Sequence, residues 1–472
     1  MKLMSISADT SAAPGPASAP PRPHATKGDL TKGDIRAHLI RLSWPMIWGI
    51  GAIISFQLVD MYFIGLLGTE ALAAVSFTFP VTMAIFSVIM GFGIAMSSVV
   101  SRLIGSGDRD TVQRVTTHGL LLVFLIGLGL AGLGLIFMTP LFTALGVPPE
   151  LMPMVREYMT WWFAGAVFIT MPLVGNAAIR AGGDTMTPAL IMTLAAVMNA
   201  VLDPILIFGL FGAPRLELEG AAIATVIANG LAMIAGLSIL YGREKLICTN
   251  YLKRCGAFGD SAKRLLFIAL PAGLTNAIQP LVNAFIIALL AQSGPAAVAA
   301  YGVVSRVEAF VFIVIMGVAV GMGPIIGQNW GAQHYSRVNE TLRLAIRFAV
   351  AWSLLVAGTL ILFAEHIATF FSDDPNVIAV AMLFFWIVPI TYMFSNLVNG
   401  WASAFNAMGM PQRSFIMIVV KMLCLMLPAV YLGFMLQGIF GLFAAIAVVN
   451  ILAGVIFHFW CRHTCQKILQ EN

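Results

Sequence analysis

Two carboxylates stand in otherwise apolar stretches of the chain: Asp60, in FQLVDMYFIG, and Asp203, in VMNAVLDPILIFG. Asn199 lies four residues before Asp203, so a helix puts both on one face. Pro204 follows, and a helical proline leaves the carbonyl four residues earlier, that of Ala200, without its usual N–H partner. Two carboxylates, a carboxamide and a freed carbonyl are hard oxygen ligands for a small cation. Without a cation they suit a proton, because two close carboxylates held away from water do not both keep their charge cheaply. Either way the set changes charge when it loads. The competing reading makes Asp203 a helix cap or kink and leaves Asp60 in a local hydrogen bond. Gln57, one turn before Asp60, either shares this pocket or bonds a neighbouring helix. Asn176 and Tyr158 are further candidates, Tyr158 alternatively as an interfacial anchor.

A charge at bilayer depth costs about 2.5–3.5 kcal/mol on insertion scales. Three more need a reason: Arg306, Glu308 and Lys421. Arg306 and Glu308 are two apart and point to different faces. The group reads either as a substrate-facing lining or as a structural ion pair, with Glu308–Lys421 the expected pairing.

The elements that must position these residues follow from composition. Of 472 residues 60% are hydrophobic and only 10% charged, with a net charge of +5 and a mean hydropathy of +0.93. Soluble domains carry about 25% charge, so a soluble enzyme, a disordered protein and a nucleic-acid binder are excluded. The expected class is an all-α polytopic membrane protein with about 12 transmembrane helices, each needing about 20 apolar residues. Apolar runs place them near 39–66, 71–104, 116–145, 154–181, 187–211, 219–241, 263–292, 297–328, 339–365, 376–407, 413–436 and 439–463. The expected domains are a disordered cytosolic tail (1–35), an N-lobe of six spans (36–242), a cytosolic linker (243–262), a C-lobe of six spans (263–465) and a short cytosolic tail (466–472). The first tail is rich in Ala, Pro and Ser, without the apolar stretch of a signal peptide.

With both termini cytosolic, all of the 26 Lys and Arg except Arg156, Arg215, Arg306 and Lys421 fall on the inner side or within a turn or two of it, as the positive-inside rule requires. The five cysteines are odd in number and lie mostly at this side, which argues against a disulfide framework.

The chain also repeats itself. SVIMGFGIAM (87–96) returns as IVIMGVAVGM (313–322) at a spacing of 226. The same spacing pairs Pro45 with Pro271, Gly68 with Gly294, Gly105 with Gly331 and Gly183 with Gly409. A repeat of six spans keeps both halves in one orientation. Parallel repeats of this kind hold a substrate between them and rock to alternate access. The acidic pair is not duplicated: Ile286 falls opposite Asp60, Ala429 opposite Asp203, and Lys421 opposite Ala195.

Other chemistries find little support. HFWCRHTC (458–465) has interleaved His and Cys that fit no zinc spacing, so it reads as a helix terminus. There is no phosphate-binding GxxxxGK[ST] loop, no HExxH and no nucleophile elbow. An enzyme is not expected.

The chain resembles the MATE (multidrug and toxic compound extrusion) family, from about residue 36 onward. The resemblance rests on LVDMYFIG, AAIRAGGDTMTP (177–188), NAVLDPILIFG, SRVEAF and IIGQNWGA. It implies a V-shaped antiporter of two six-helix lobes, exporting cationic or amphipathic drugs in exchange for H⁺ or Na⁺. It implies that Asp60, Asn199 and Asp203 bind the coupling cation, with Thr225 and Asn176 joining and Tyr158 nearby. It implies that span one bends at Pro45 when Asp60 is neutralised. Where one branch has acidic residues in spans seven and ten, this chain has Gln279 and a position near Ser395, so it looks like the DinF-like branch. The expected protein is a monomeric, multi-pass transporter of the plasma membrane (the bacterial inner membrane), with no cofactor and no nucleic-acid partner. The alternative is a lipid-linked saccharide flippase, which needs Arg or Lys for a diphosphate.

Overall fold

The computed structural model describes residues 28–247 and 258–471, with side chains of the last helix through 465. Residues 1–27, most of the expected tail, and 248–257, most of the linker with Cys248 and Cys255, lie outside the described residues. The helices are α1 (Ile35–Leu66), α2 (Thr69–Ser106), α3 (Arg109–Ala144), α4 (Met152–Ala164), α5 (Ala166–Ala181), α6 (Met186–Phe208), α7 (Glu217–Gly242), α8 (Phe258–Ala291), α9 (Pro295–Gly331), α10 (Tyr335–Leu362), α11 (Ala364–Phe371), α12 (Pro375–Ile387), α13 (Tyr392–Met408), α14 (Pro411–Val419) and α15 (Leu427–Glu471). A π-helical stretch, Val420–Met426, joins the last two.

Among the described residues, ten helical runs are long and apolar enough to cross a membrane, eleven with the α4–α5 pair, which bends by 48°. The 55-residue run Pro411–Cys465 counts twice. Its backbone leaves helical geometry at Gln437 and Gly438, and Gly433 and Gly441 touch backbone to backbone. Residues eight apart in an unbroken helix stand about 12 Å apart, so the chain reverses here. The twelve expected spans are present.

The repeat is structural. Gly68 and Gly294 open α2 and α9 with φ of +119° and +107°, and Gly183 and Gly409 have φ of +86° and +82°. These are left-handed conformations that favour glycine. Span four breaks at Gly165 and span ten at the 3₁₀ turn Pro389–Thr391; Gly165 and Thr391 are again 226 apart.

The halves meet where α1 packs on α9 and α2 on α8. The contacts are reciprocal. Gly91 lies against Ala269 and Gly273, and its counterpart Gly317 lies against Ile47. Gly105 abuts the Gln328 backbone, and Gly331 abuts that of Arg102. Leu39 and Leu42 of α1 belong to the core of the second half, while Leu265, Ile268 and Ala269 of α8 belong to that of the first. At this seam each half lends its first turns to the core of the other.

All of these contacts lie in residues 39–47, 87–105, 265–273 and 317–331, near the face that carries both chain ends. Beyond them the helices part. From Ser55 to the end of α1 the covered positions, Phe56, Asp60, Phe63 and Ile64, make a single stripe, and Gln57, Leu58, Met61 and Tyr62 are exposed. The contacts between the halves are thus gathered at the chain-end face, which leaves room for a cleft between them toward the other face. The expectation of a free tail through residue 35 is also corrected: from Gly28 onward the chain is packed, with Leu30 fully buried.

Candidate functional site

The α1–α6 contact brings Asp60 and Asp203 together. Phe63 and Phe208 lie edge to face across it, with ring centroids 6.3 Å apart. The two carboxyls lie within electrostatic reach of each other. Asp203 is 0% exposed, and neither of its oxygens receives a hydrogen bond. Asn199, 2% exposed, donates its Nδ2 to Thr225 Oγ1 at 3.4 Å, while its Oδ1 has no partner. Tyr158 of α4 packs beside the same cluster, within electrostatic reach of both carboxyls. Three buried acceptor oxygens thus lack a donor where a pair of carboxyls meets. Orphaned buried acceptors are costly, and the deficit is one that a proton or a small hard cation removes. The oxygen set fits such an ion. Among the described residues no group of three or more His, Cys, Asp or Glu suits a metal centre.

Not every expected member joins. The Asn176 Oδ1 faces Gly236 of α7, lying 3.9 Å from where a Cβ there would stand. Gly236 is eleven residues beyond Thr225, about 16 Å along the helix. Asn176 therefore stands apart from the cluster, buried and with an unpartnered oxygen. Gln57 is exposed on the open side of α1 and makes no interhelical hydrogen bond. Pro45 is buried in the contact with the other half, and α1 continues through it.

In the second half the expected Glu308–Lys421 pair is not made. Glu308 instead accepts from the Tyr392 hydroxyl at 2.7 Å, and Lys421 donates to Ser395 Oγ at 2.7 Å. Tyr392 and Ser395 are three apart on α13, so they share a face, and each of the two charges ends on its own hydroxyl. Lys421 is 0% exposed and sits in the π-helical stretch. Arg306 is exposed, folds back over Gly302 and makes no ion pair among the described residues. Gln279 is exposed and bonds Asn283 on its own helix at 3.2 Å. His458 accepts from Trp401 Nε1 at 3.2 Å, and the helix expected to end in this segment runs on to Glu471.

Comparison with known proteins decides the family. The MatE family model matches twice, over residues 45–205 and 271–432, starts that are themselves 226 apart. The chain belongs to the MATE family. It is 38% identical to a Shewanella oneidensis protein named FAD transporter, over 93% of this chain and 97% of that one. It is 28% identical to the multidrug export protein MepA of Staphylococcus haemolyticus, over 78% and 80%. The structure of the Vibrio cholerae MATE transporter VcmN in its bent form superposes with a TM-score of 0.86 at 30% identity, over 93% and 97%. As a MATE protein the chain is a transporter and not an enzyme.

Proposed function

We propose that the chain is an efflux antiporter for amphipathic organic molecules, driven by H⁺ or Na⁺ entering at Asp60, Asp203 and Asn199. The observation that carries this is the facing pair of carboxyls, confined to one half and short of donors. With both chain ends cytosolic, as the basic residues favour, the cleft opens outward, toward the side from which the coupling cation arrives. Uptake of a cation neutralises the pair and alters how α1 packs on α6. A cationic substrate prefers the ionised pair, so loading the ion expels it outward. The Met- and Phe-rich helices repack around varied substrates. Residence in the bacterial plasma membrane as a monomer completes the reading.

A second reading concerns the substrate. The relative named FAD transporter is more similar than the multidrug exporter, and Arg306 of α9 is exposed and makes no ion pair among the described residues. Both favour an anionic, flavin-nucleotide-like substrate. A lipid-linked saccharide carries the same diphosphate and would rest on Arg306 alone, since Lys421, the other basic residue at depth, is enclosed; the relative's name favours the flavin nucleotide. Proteoliposome efflux of a fluorescent cationic dye and of flavin dinucleotide, with pH and Na⁺ gradients imposed separately, tests both. Gradient-driven efflux of neither compound would end the antiporter reading.

A further inference from the structure

Just before α1, residues 28–34 cross the seam between the halves, and both halves bind them. On the first-half side Gly28 lies against Gly182 so closely that a Cβ would overlap the carbonyl. On the second-half side Leu30 donates its N–H to Gln328 Oε1 at 3.0 Å, and its carbonyl accepts from Asn329 Nδ2 at 3.1 Å. Arg337 donates to the Gly33 carbonyl at 2.9 Å and to Asn329 Oδ1 at 2.9 Å. The Gln328 amide then reaches back and donates to the Ala181 carbonyl at 2.8 Å, at the end of α5 in the first half. Gln328 and Asn329 are 1% and 0% exposed. One side chain therefore ties the strap, the second half and the first half together at the closed end of the cleft.

We infer that residues 28–34 with Gln328, Asn329 and Arg337 form a latch that holds the cleft shut at the chain-end face. The inference rests on the alternating-access reading above. A purely local role does not explain the arrangement, because the strap belongs covalently to α1 yet gives the Leu30 N–H and the Leu30 and Gly33 carbonyls to the opposite half. Parting the halves here leaves the Leu30 N–H and carbonyl, the Gln328 amide and the Ala181 carbonyl without partners until water enters. Buried backbone groups are nearly always paired, so the latch has two discrete states, made or hydrated. Its attachment to α1 links its release to the helix that carries Asp60.

The test reads access rather than transport. Ser43, buried where α1 meets Gly321, is changed to Cys in the full chain, with the five native cysteines replaced by alanine. Labelling by a membrane-impermeant maleimide is measured from each face of reconstituted vesicles. Gln328→Ala and Leu30→Asp are expected to speed labelling from the chain-end face by about tenfold, equivalent to about 1.4 kcal/mol, with no gain from the other face. Gln328→Glu keeps the acceptor for Leu30 and loses the donor to Ala181, and is expected to move labelling in the same direction. Unchanged labelling in folded variants overturns the latch, as does an equal rise from both faces. Loss of fold in all three variants overturns it too, in favour of a structural role. Absent efflux with the expected labelling counts against the proposed transport and leaves the latch standing.

Discussion

Asp60 and Asp203 meet carboxyl to carboxyl across the α1–α6 contact, and no donor reaches either oxygen of Asp203. Two like charges in this position repel when both are ionised. Asp60→Asn and Asp203→Asn are therefore expected to fold as well as the parent or better, with an equal or higher thermal midpoint, while losing gradient-driven efflux. Functional sites commonly trade stability in this way. Full efflux by Asp60→Asn in proteoliposomes would remove the coupling role.

Asn199 contributes an oxygen with no partner and is steadied by Thr225. If the ion is Na⁺, Asn199→Ala weakens the Na⁺ dependence of efflux by about tenfold, a loss of about 1.4 kcal/mol. If the ion is H⁺, the same variant shifts the pH profile and leaves Na⁺ without effect. A variant indistinguishable from the parent under both gradients would exclude Asn199 from the site.

Lys421 depends on Ser395. Ser395→Ala leaves a buried ammonium without a partner and is expected to destabilise the chain by about 1–3 kcal/mol. Lys421→Met, which removes the charge, is expected to be neutral or stabilising. Thermal unfolding in detergent compares the three proteins, and a lower midpoint for Lys421→Met than for Ser395→Ala contradicts the assignment.

Asp184, in the turn between α5 and α6, offers a pH test outside the spans. Burial pushes its carboxyl up. Hydrogen bonds from Thr187, at 3.0 and 2.6 Å, and the Arg243 guanidinium outweigh this and hold it below its ordinary 3.8. A lowered folded-state value gives stability that is complete well above pH 3.8 and is lost as pH falls through the folded value. Amide exchange in residues 182–186 is thus flat through neutral pH and quickens in strong acid. In Asp184→Asn it is faster at neutral pH and lacks the acid step.

Gly105 and Gly331 make equivalent contacts with the Gln328 and Arg102 backbones. Backbone does not yield as a side chain does, so Gly105→Ala and Gly331→Ala each cost about 1–3 kcal/mol by overpacking. Matching losses in thermal midpoint are expected. A loss from one variant alone would show that the two contacts are not equivalent.

The spans were legible because a membrane helix leaves a long apolar run, and the pairing of Asp60 with Asp203 because lone carboxylates stand out in such runs. The breaks at Gly165 and Thr391 were hidden, since a broken helix inside an apolar stretch keeps the same composition. Asn176 was grouped with the site although Tyr158 lies eighteen residues before it, about 27 Å along a helix; that spacing alone separates their depths. The Glu308–Lys421 pairing failed because sequence does not say which hydroxyl a buried charge finds first. Tyr392, Ser395 and Gln328 were missed as partners for the same reason. The Ala- and Pro-rich tail masked the packed segment that begins at Gly28.

The exchange of first turns between the halves carries an implication about origin. Leu39 and Leu42 dock in the second core as Leu265 and Ile268 dock in the first, so these contacts across the seam come in mirrored pairs. A surface of that kind is self-complementary, as in a twofold homodimer. One six-helix half, made alone with its leading helix free to cross over, already holds both sides of the joint. Such an ancestor assembles from two identical copies trading arms, and fusing them into one chain frees a single copy to keep the acidic pair.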